Sequence, residues 1–204
     1  MARTILLVLT ASLCAMPASA VIQRIYPLAD IIADSHTILF GKVNQEGPEL
    51  VKIGVERAAK GKSGDTSLTI ATSTARAKDA QALRRRLAAG TPVVLFIAQT
   101  GAKRVGFGYA DGTWFHIEQE SGAAQTDWRL VGAEPYLVRT FRGPTESLKR
   151  TVLGVLSGKI KAPAPNPNAK PGLGPEPRNE GRSPKPAGLA VGVLCLTQAL
   201  SASS

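Results

Sequence analysis

The chain has 204 residues with 25 basic and 15 acidic side chains, which gives a net charge of +10, and its aromatic content is only 5%. This length fits one domain of ordinary size and leaves little room for a second full core. The basic excess is spread over the body of the chain. It therefore favours association with polyanions as a class and does not indicate a particular ligand.

Residues 1–20 have the pattern of a cleaved secretory signal. Arg3 precedes an apolar run over 5–15, and the small residues Ala18, Ser19 and Ala20 follow. The run is about half as long as a membrane-spanning helix. We therefore expect cleavage after Ala20 and a periplasmic or extracellular mature protein without a transmembrane span. Nucleic acid is the least expected partner at that location.

The chain contains two cysteines, of which Cys14 lies inside the predicted signal. Cys195 alone remains after cleavage, and one thiol cannot close an intramolecular disulfide. Lipidation of Cys14 is disfavoured because Leu13 stands where bacterial lipoproteins have a small residue. The fold is therefore expected to depend on its hydrophobic core.

Hydrophobic periodicity predicts a short helix, three strands, a second helix, further strands and a last helix. A turn over 44–48 separates the first two strands, Gly90 follows the second helix where helices commonly stop, and Thr145 is expected to cap the last one. The first predicted helix begins at Leu28, the second covers 75–89, and the last runs from Thr145 to about Gly158. The predicted strands are 37–43, 50–57, 67–72, 92–99, 104–109, 113–119 and, as an option, 128–131.

Three of these stretches carry stronger local signals. Residues 92–99 form a continuous apolar run, which is typical of a strand covered on both faces. Asp111 and Gly112 supply the positive backbone angles of a tight hairpin. Gly106 and Gly108 lie in a predicted hairpin, whereas the dinucleotide-binding fingerprint needs a strand that is followed by a helix. Close packing of the strands is therefore the favoured explanation for these glycines.

Three strands, a helix and further strands is the element order of an OB-type barrel. Within residues 28–120, the phrases at 40–43 and 55–62 resemble those of uncharacterised exported bacterial proteins with OB-like barrels. The resemblance implies a fold and no known activity. We predict that 21–160 form a β-rich α+β domain, a small antiparallel OB-like β-barrel with an inserted helix and a C-terminal helix.

Composition changes after residue 160. Residues 161–188 contain eight of the 14 prolines and almost no large apolar side chains, which predicts a disordered Pro-rich linker. Residues 189–204 form a short apolar C-terminal segment, too short to span a bilayer as a helix.

One candidate site lies on the predicted strand 113–119. Alternation places Trp114, His116 and Glu118 on one face and Phe115 and Ile117 on the other. A histidine beside carboxylates could hold a metal or transfer a proton, but a zinc site needs three or four ligands. A solvated strand face is the favoured interpretation, so no catalytic, metal or cofactor residue is assigned.

Two further candidates involve basic and aromatic residues. Arg84, Arg85 and Arg86 lie on the second predicted helix, where at most two of the three can share a surface, and with 103–104 they could bind polyanions. Trp128, near Trp114, could contribute to an aromatic groove for sugars or oligonucleotides.

The sequence leads to one main hypothesis and two alternatives. The main hypothesis is an exported, non-catalytic binding or interaction module whose partner is an envelope or extracellular protein or a polyanion, without a cofactor. The first alternative is a polyanion- or glycan-binding surface protein. The second is a hydrolase or metal enzyme that uses His116 and Glu118.

Overall fold

Seven strands and four helical segments make up the part of the chain that the computed structural model describes, residues 25–47, 49–64, 66–73, 77–101, 103–119 and 127–173. The predicted signal, both cysteines and the apolar segment 189–204 lie outside these residues. The strands are β1 (Thr37–Glu46), β2 (Leu50–Lys60), β3 (Ser67–Ala71), β4 (Pro92–Thr100), β5 (Lys103–Ala110), β6 (Thr113–Gln119) and β7 (Asp127–Ala133). The helices are α1 (Leu28–Asp34), α2 (Ala77–Arg86), a 3₁₀ helix (Pro135–Arg139) and α3 (Thr145–Leu156).

The strands close into a barrel in the order β1-β2-β3-β7-β6-β5-β4. The predicted OB-like barrel, with α2 inserted between β3 and β4 and α3 after the last strand, is confirmed. One strand pair departs from the predicted antiparallel arrangement, because β3 and β7 run parallel. Parallel neighbours need a long connection, and here α2 and three antiparallel strands separate them along the chain.

A first hydrophobic core fills the barrel, and Leu83 of α2 and Leu87, which directly follows this helix, close one end of it. Gly108 faces this interior, where a Cβ would overlap the ring of Phe115. The prediction that this glycine permits close strand packing is therefore confirmed. The interior residues of the strands are Leu39, Val43, Val51, Ile53, Leu68, Ile70, Val93, Leu95, Ile97, Ala110, Phe115, Ile117, Trp128 and Leu130.

A second hydrophobic core lies outside the barrel wall, between β1, β4, β5 and β6 and the covering helices α1 and α3 with the 3₁₀ helix. It explains why β4 reads as continuously apolar, since Leu95 points into the barrel and Phe96 points into this outer core. The predicted burial of β4 on both faces is confirmed. The buried members are Leu28, Ile31, Ile32, Ile38, Phe40, Val94, Phe96, Tyr109, Trp114, Leu137, Leu148 and Val152.

The β5–β6 hairpin meets the beginning of α3. Its loop residues Asp111 and Gly112 have φ angles of 42° and 79°, as the predicted tight turn requires. The expected capping role of Thr145 is wrong, because Pro144 occupies the N-cap. The Thr145 hydroxyl instead accepts a hydrogen bond from the Asp111 amide at 2.9 Å, which joins the hairpin to the helix.

The first part of the predicted Pro-rich linker, residues 161–173, contacts the 3₁₀ helix. The amides of Asn166 and Gly172 donate to the carbonyls of Arg139 and Pro135 at 2.7 and 3.1 Å. Arg139 Nε donates to the Ala169 carbonyl at 3.2 Å. This part therefore belongs to the folded domain, and 174–188 lie outside the described residues. Across the described ranges, no helix has the length and apolarity to cross a bilayer.

Candidate functional site

His116 lies half-buried on the outer face of β6, between two carboxylates. Its Nε2 is 3.7 Å from Glu118 Oε1, and its Nδ1 is 3.8 Å from Glu134 Oε1. Glu118 lies two residues along the same strand, while Glu134 directly follows β7. Both separations exceed hydrogen-bond length, so neither carboxylate is hydrogen-bonded to the imidazole.

The two carboxylates beside His116 have opposite electrostatic environments. Arg129 donates to Glu118 at 2.8 Å, and this hydrogen bond lowers the pKa of the Glu118 carboxyl. Burial raises the pKa of Glu134, and the attraction of His116 offsets only part of that rise. A pair of carboxyls with pKa values pushed apart is a recurrent feature of binding and proton-transfer sites.

A groove of about 330 Å³ begins at His116 and runs over β5 and β4 to the end of α1. Apolar side chains form much of its lining, among them Ile31, Phe96 and Phe107. The Phe107 ring lies 5.5 Å from the imidazole, centroid to centroid. The volume of the groove is at the lower end of the range of small-ligand pockets.

Polar groups line the other parts of this groove, namely Tyr26, Asp34, Ser35, Gln99 and Thr100. The Ser35 hydroxyl is buried and donates to the Ile31 carbonyl at 2.6 Å, so it is not presented as a nucleophile. Within the described ranges, no group of three or more histidine, cysteine or acidic residues is placed to hold a metal ion. The arrangement can bind a polar group beside an apolar one.

Trp114 does not belong to a solvated face, contrary to the sequence prediction. It is 2% exposed and lies in the outer core, where its ring is 4.9 Å from that of Tyr109. Its indole N–H donates to the Phe141 carbonyl at 3.1 Å. Trp114 shares a face with His116 as predicted, but the covering helices bury that face at the Trp114 end.

The predicted aromatic groove between Trp114 and Trp128 does not form. Trp128 is also 2% exposed, but it lies inside the barrel, so the barrel wall separates the two indoles. The Arg104 guanidinium lies 5.4 Å from the Trp128 ring and covers it. Both tryptophans are needed in the cores of this aromatic-poor domain.

The three successive arginines of α2 do not form one exposed cluster. Arg86 is only 8% exposed, and Arg84 is half-buried with its Nε donating to the Ala80 carbonyl at 3.2 Å. Arg85 is exposed, and each of the three already takes part in an intramolecular interaction. A polyanion surface centred on these residues is therefore not supported, because a helix that plugs a barrel must bury one side.

Sequence reasoning found His116 and Glu118 but missed the rest of the site. Phe107 could have been found, since alternation along β5 places it outward beside His116. No local signal brings Glu134 or Asp34 together with His116. They reach the site because β7 pairs with β6 and because α1 packs on β4.

Comparisons of the chain with protein-family profiles, with curated proteins and with solved structures find no match. The resemblance to exported bacterial proteins with OB-like barrels stays a prediction.

Proposed function

We propose that this chain is an exported, non-catalytic binding module whose ligand occupies the groove between α1 and the outer faces of β4, β5 and β6. The observation that carries the proposal is the groove itself, which combines apolar side chains with polar ones, among them His116 at one end and Asp34 and Ser35 at the other. Concave sites of this composition are the usual places where small ligands bind.

The polar end of the groove indicates the kind of ligand. His116 can donate or accept a hydrogen bond, and the carboxylates of Glu118 and Glu134 lie 3.7 and 3.8 Å from its ring nitrogens. The half-buried Phe107 ring offers a flat apolar contact next to it. We expect a ligand, or one side chain of a partner protein, that has an aromatic or branched apolar part and a polar group beside it.

The proposal is tested by nuclear magnetic resonance with three aromatic fragments of similar size: benzyl alcohol, benzylamine and benzoate. We expect at least one fragment to shift the amides of Val105, Phe107 and His116 in a saturable manner. Phe107→Ala should weaken that binding at least fivefold, and Phe107→Leu serves if the alanine variant unfolds. Tyr136→Ala, which removes an exposed aromatic ring outside the groove, is the matched control.

Two outcomes would overturn this proposal. One is that none of the fragments shifts the groove amides at concentrations up to its solubility. The other is that Tyr136→Ala weakens binding as much as Phe107→Ala does, because the fragments would then be recognising exposed aromatic surface in general.

Export is the second part of the proposal, and the predicted signal over 1–20 supports it. Expression in a bacterium with a functional secretion system should deliver the protein outside the cytoplasm. Mass spectrometry of that material should give a chain that begins at Val21. An intact amino terminus in cytoplasmic material would contradict export.

The hydrolase alternative is favoured by one observation, the opposite pKa shifts of Glu118 and Glu134 around His116. The purified protein and its His116→Ala variant are both assayed with ester and phosphoester substrates. Turnover that the variant loses would replace the binding proposal with a catalytic one.

A further inference from the structure

The fold divides the charge of the chain unevenly, although the sequence suggested a diffuse distribution. Residues 25–134, which contain α1 and the barrel, have thirteen basic and twelve acidic side chains. Residues 135–173 have seven basic side chains and one acidic, so these 39 residues carry a net charge of +6 out of the +10 of the whole chain. They form the 3₁₀ helix, α3, the docked segment 161–173 and the turns between these elements. We call residues 135–173 the basic layer.

Most cations of the basic layer are available to a partner. Two are engaged within the protein. The Lys149 ammonium lies 2.9 Å from Glu146 and 3.8 Å from Glu56, and Arg139 Nε donates to the Ala169 carbonyl. Five cations of the layer are exposed and make no ion pair with any residue in the described part of the chain. They are Arg142, Arg150, Lys159, Lys161 and Lys170.

Apolar side chains are exposed among these cations. Ile160 is 49% exposed and stands between Lys159 and Lys161, which are both exposed. The amides of Lys159 and Ile160 donate to the Gly154 carbonyl at 2.9 and 3.3 Å, so this turn is held against the end of α3. Tyr136, Leu156 and Leu173 are the other exposed large apolar residues of the layer.

We propose that the basic layer docks the protein on an anionic lipid surface. Exposed lysines and arginines are attracted to anionic headgroups, and exposed apolar side chains gain from entering the boundary between headgroups and acyl chains. A dissolved polyanion would bind the same cations but would offer no apolar environment to the Ile160 side chain. The combination in one layer therefore favours lipid over a soluble polymer, and it is independent of what fills the groove at His116.

The test is sedimentation of the full chain with lipid vesicles. Vesicles of phosphatidylcholine with 30% phosphatidylglycerol should bind the protein at least tenfold more tightly than phosphatidylcholine alone, and 0.5 M salt should remove the difference. The double variant Lys159→Gln, Lys161→Gln should weaken binding several-fold. The control, Lys42→Gln with Lys52→Gln, removes the same charge from exposed positions on the barrel and should change binding less than twofold.

The Ile160→Ser variant distinguishes binding to a lipid surface from binding to a soluble polymer. It should weaken binding to the anionic vesicles at least threefold while leaving binding to soluble polyphosphate unchanged. Leu156→Ser is the second variant if Ile160→Ser lowers the melting temperature.

Three results would overturn the proposal. The first is that the anionic vesicles do not bind. The second is that the barrel control weakens binding as much as the Lys159 and Lys161 variant does. The third is that Ile160→Ser and Leu156→Ser have no effect while polyphosphate binds as tightly as vesicles, which would assign the layer to a soluble polyanion.

Discussion

The hydroxyl of Tyr109 and the backbone of Gly143 form two hydrogen bonds with each other. The hydroxyl donates to the Gly143 carbonyl, and it accepts a hydrogen bond from the Gly143 amide at 3.0 Å. Tyr109 is fully buried in the outer core, at the end of β5, whereas Gly143 lies in the loop that leads into α3. This pair therefore fixes the loop before α3 to the barrel wall.

Tyr109→Phe should lower the free energy of unfolding by about 1–3 kcal/mol, because it leaves both backbone groups of Gly143 without their partner. Urea denaturation measures the loss. Tyr136→Phe, at an exposed tyrosine, should change stability by less than about 0.5 kcal/mol. Equal effects of the two variants would contradict the structural role of the Tyr109 hydroxyl.

Tyr109 should also determine stability at alkaline pH. Burial is the main cause that raises its pKa to about 12 from the usual 10.0. In the unfolded chain the phenol ionises near pH 10, while in the folded chain it stays neutral to about pH 12, so unfolding becomes easier as the pH rises between these values. The expected loss over that interval is roughly 2–3 kcal/mol. Denaturation curves of Tyr109→Phe should lack this component, and an unchanged pH dependence would contradict it.

Lys60 stabilises the end of α1 that borders the groove. Its ammonium donates to the carbonyls of Ile32 and Ala33 at 2.8 and 2.9 Å, in the last turn of the helix. Lys60→Met keeps the aliphatic stem and should cost about 1 kcal/mol, with faster amide hydrogen exchange confined mainly to α1. Lys62→Met, at an exposed lysine two residues along, should leave the exchange of α1 unchanged.

The docked part of the Pro-rich segment should contribute to folding. A chain that ends at 173 is expected to unfold at the same temperature as the full chain. A chain that ends at 160 loses the three hydrogen bonds to the 3₁₀ helix and should be less stable by about 2–3 kcal/mol. Calorimetry of the two truncated chains decides this, and identical melting temperatures would show that the contacts of 161–173 contribute nothing.

The sequence could predict those features that depend only on a few neighbouring residues. Asp111 and Gly112 form a tight turn because the turn geometry depends on their own backbone angles. The seven strands could be placed because their apolar residues alternate or run continuously. The inserted helix and the OB-like order followed from these local assignments.

The features that sequence could not predict depend on which distant segments cover a given face. Alternation correctly places Trp114 and His116 on one side of β6, but it cannot tell that helices bury the first and leave the second at a groove. The pairing of β3 with β7 depends on the path of the chain over more than fifty residues. Glu134 and Asp34 were missed for the same reason, since they lie on other segments of the fold.

Glu118 and Glu134 offer a matched test of the site, because the same substitution should have opposite pH dependence at the two positions. The hydrogen bond from Arg129 lowers the pKa of Glu118, so its stabilising effect is present above the usual value of 4.5 and is lost as the pH falls. Glu118→Gln should therefore cost more stability at pH 7 than at pH 4.

Burial raises the pKa of Glu134, so the folded protein loses stability as the pH rises above 4.5 and this carboxyl ionises. Glu134→Gln should accordingly be more favourable relative to the unsubstituted protein at pH 7 than at pH 4. Urea denaturation of both variants at the two pH values gives the comparison. A pH dependence of the same sign at both positions would mean that His116 does not stand between one ion-paired and one desolvated carboxylate.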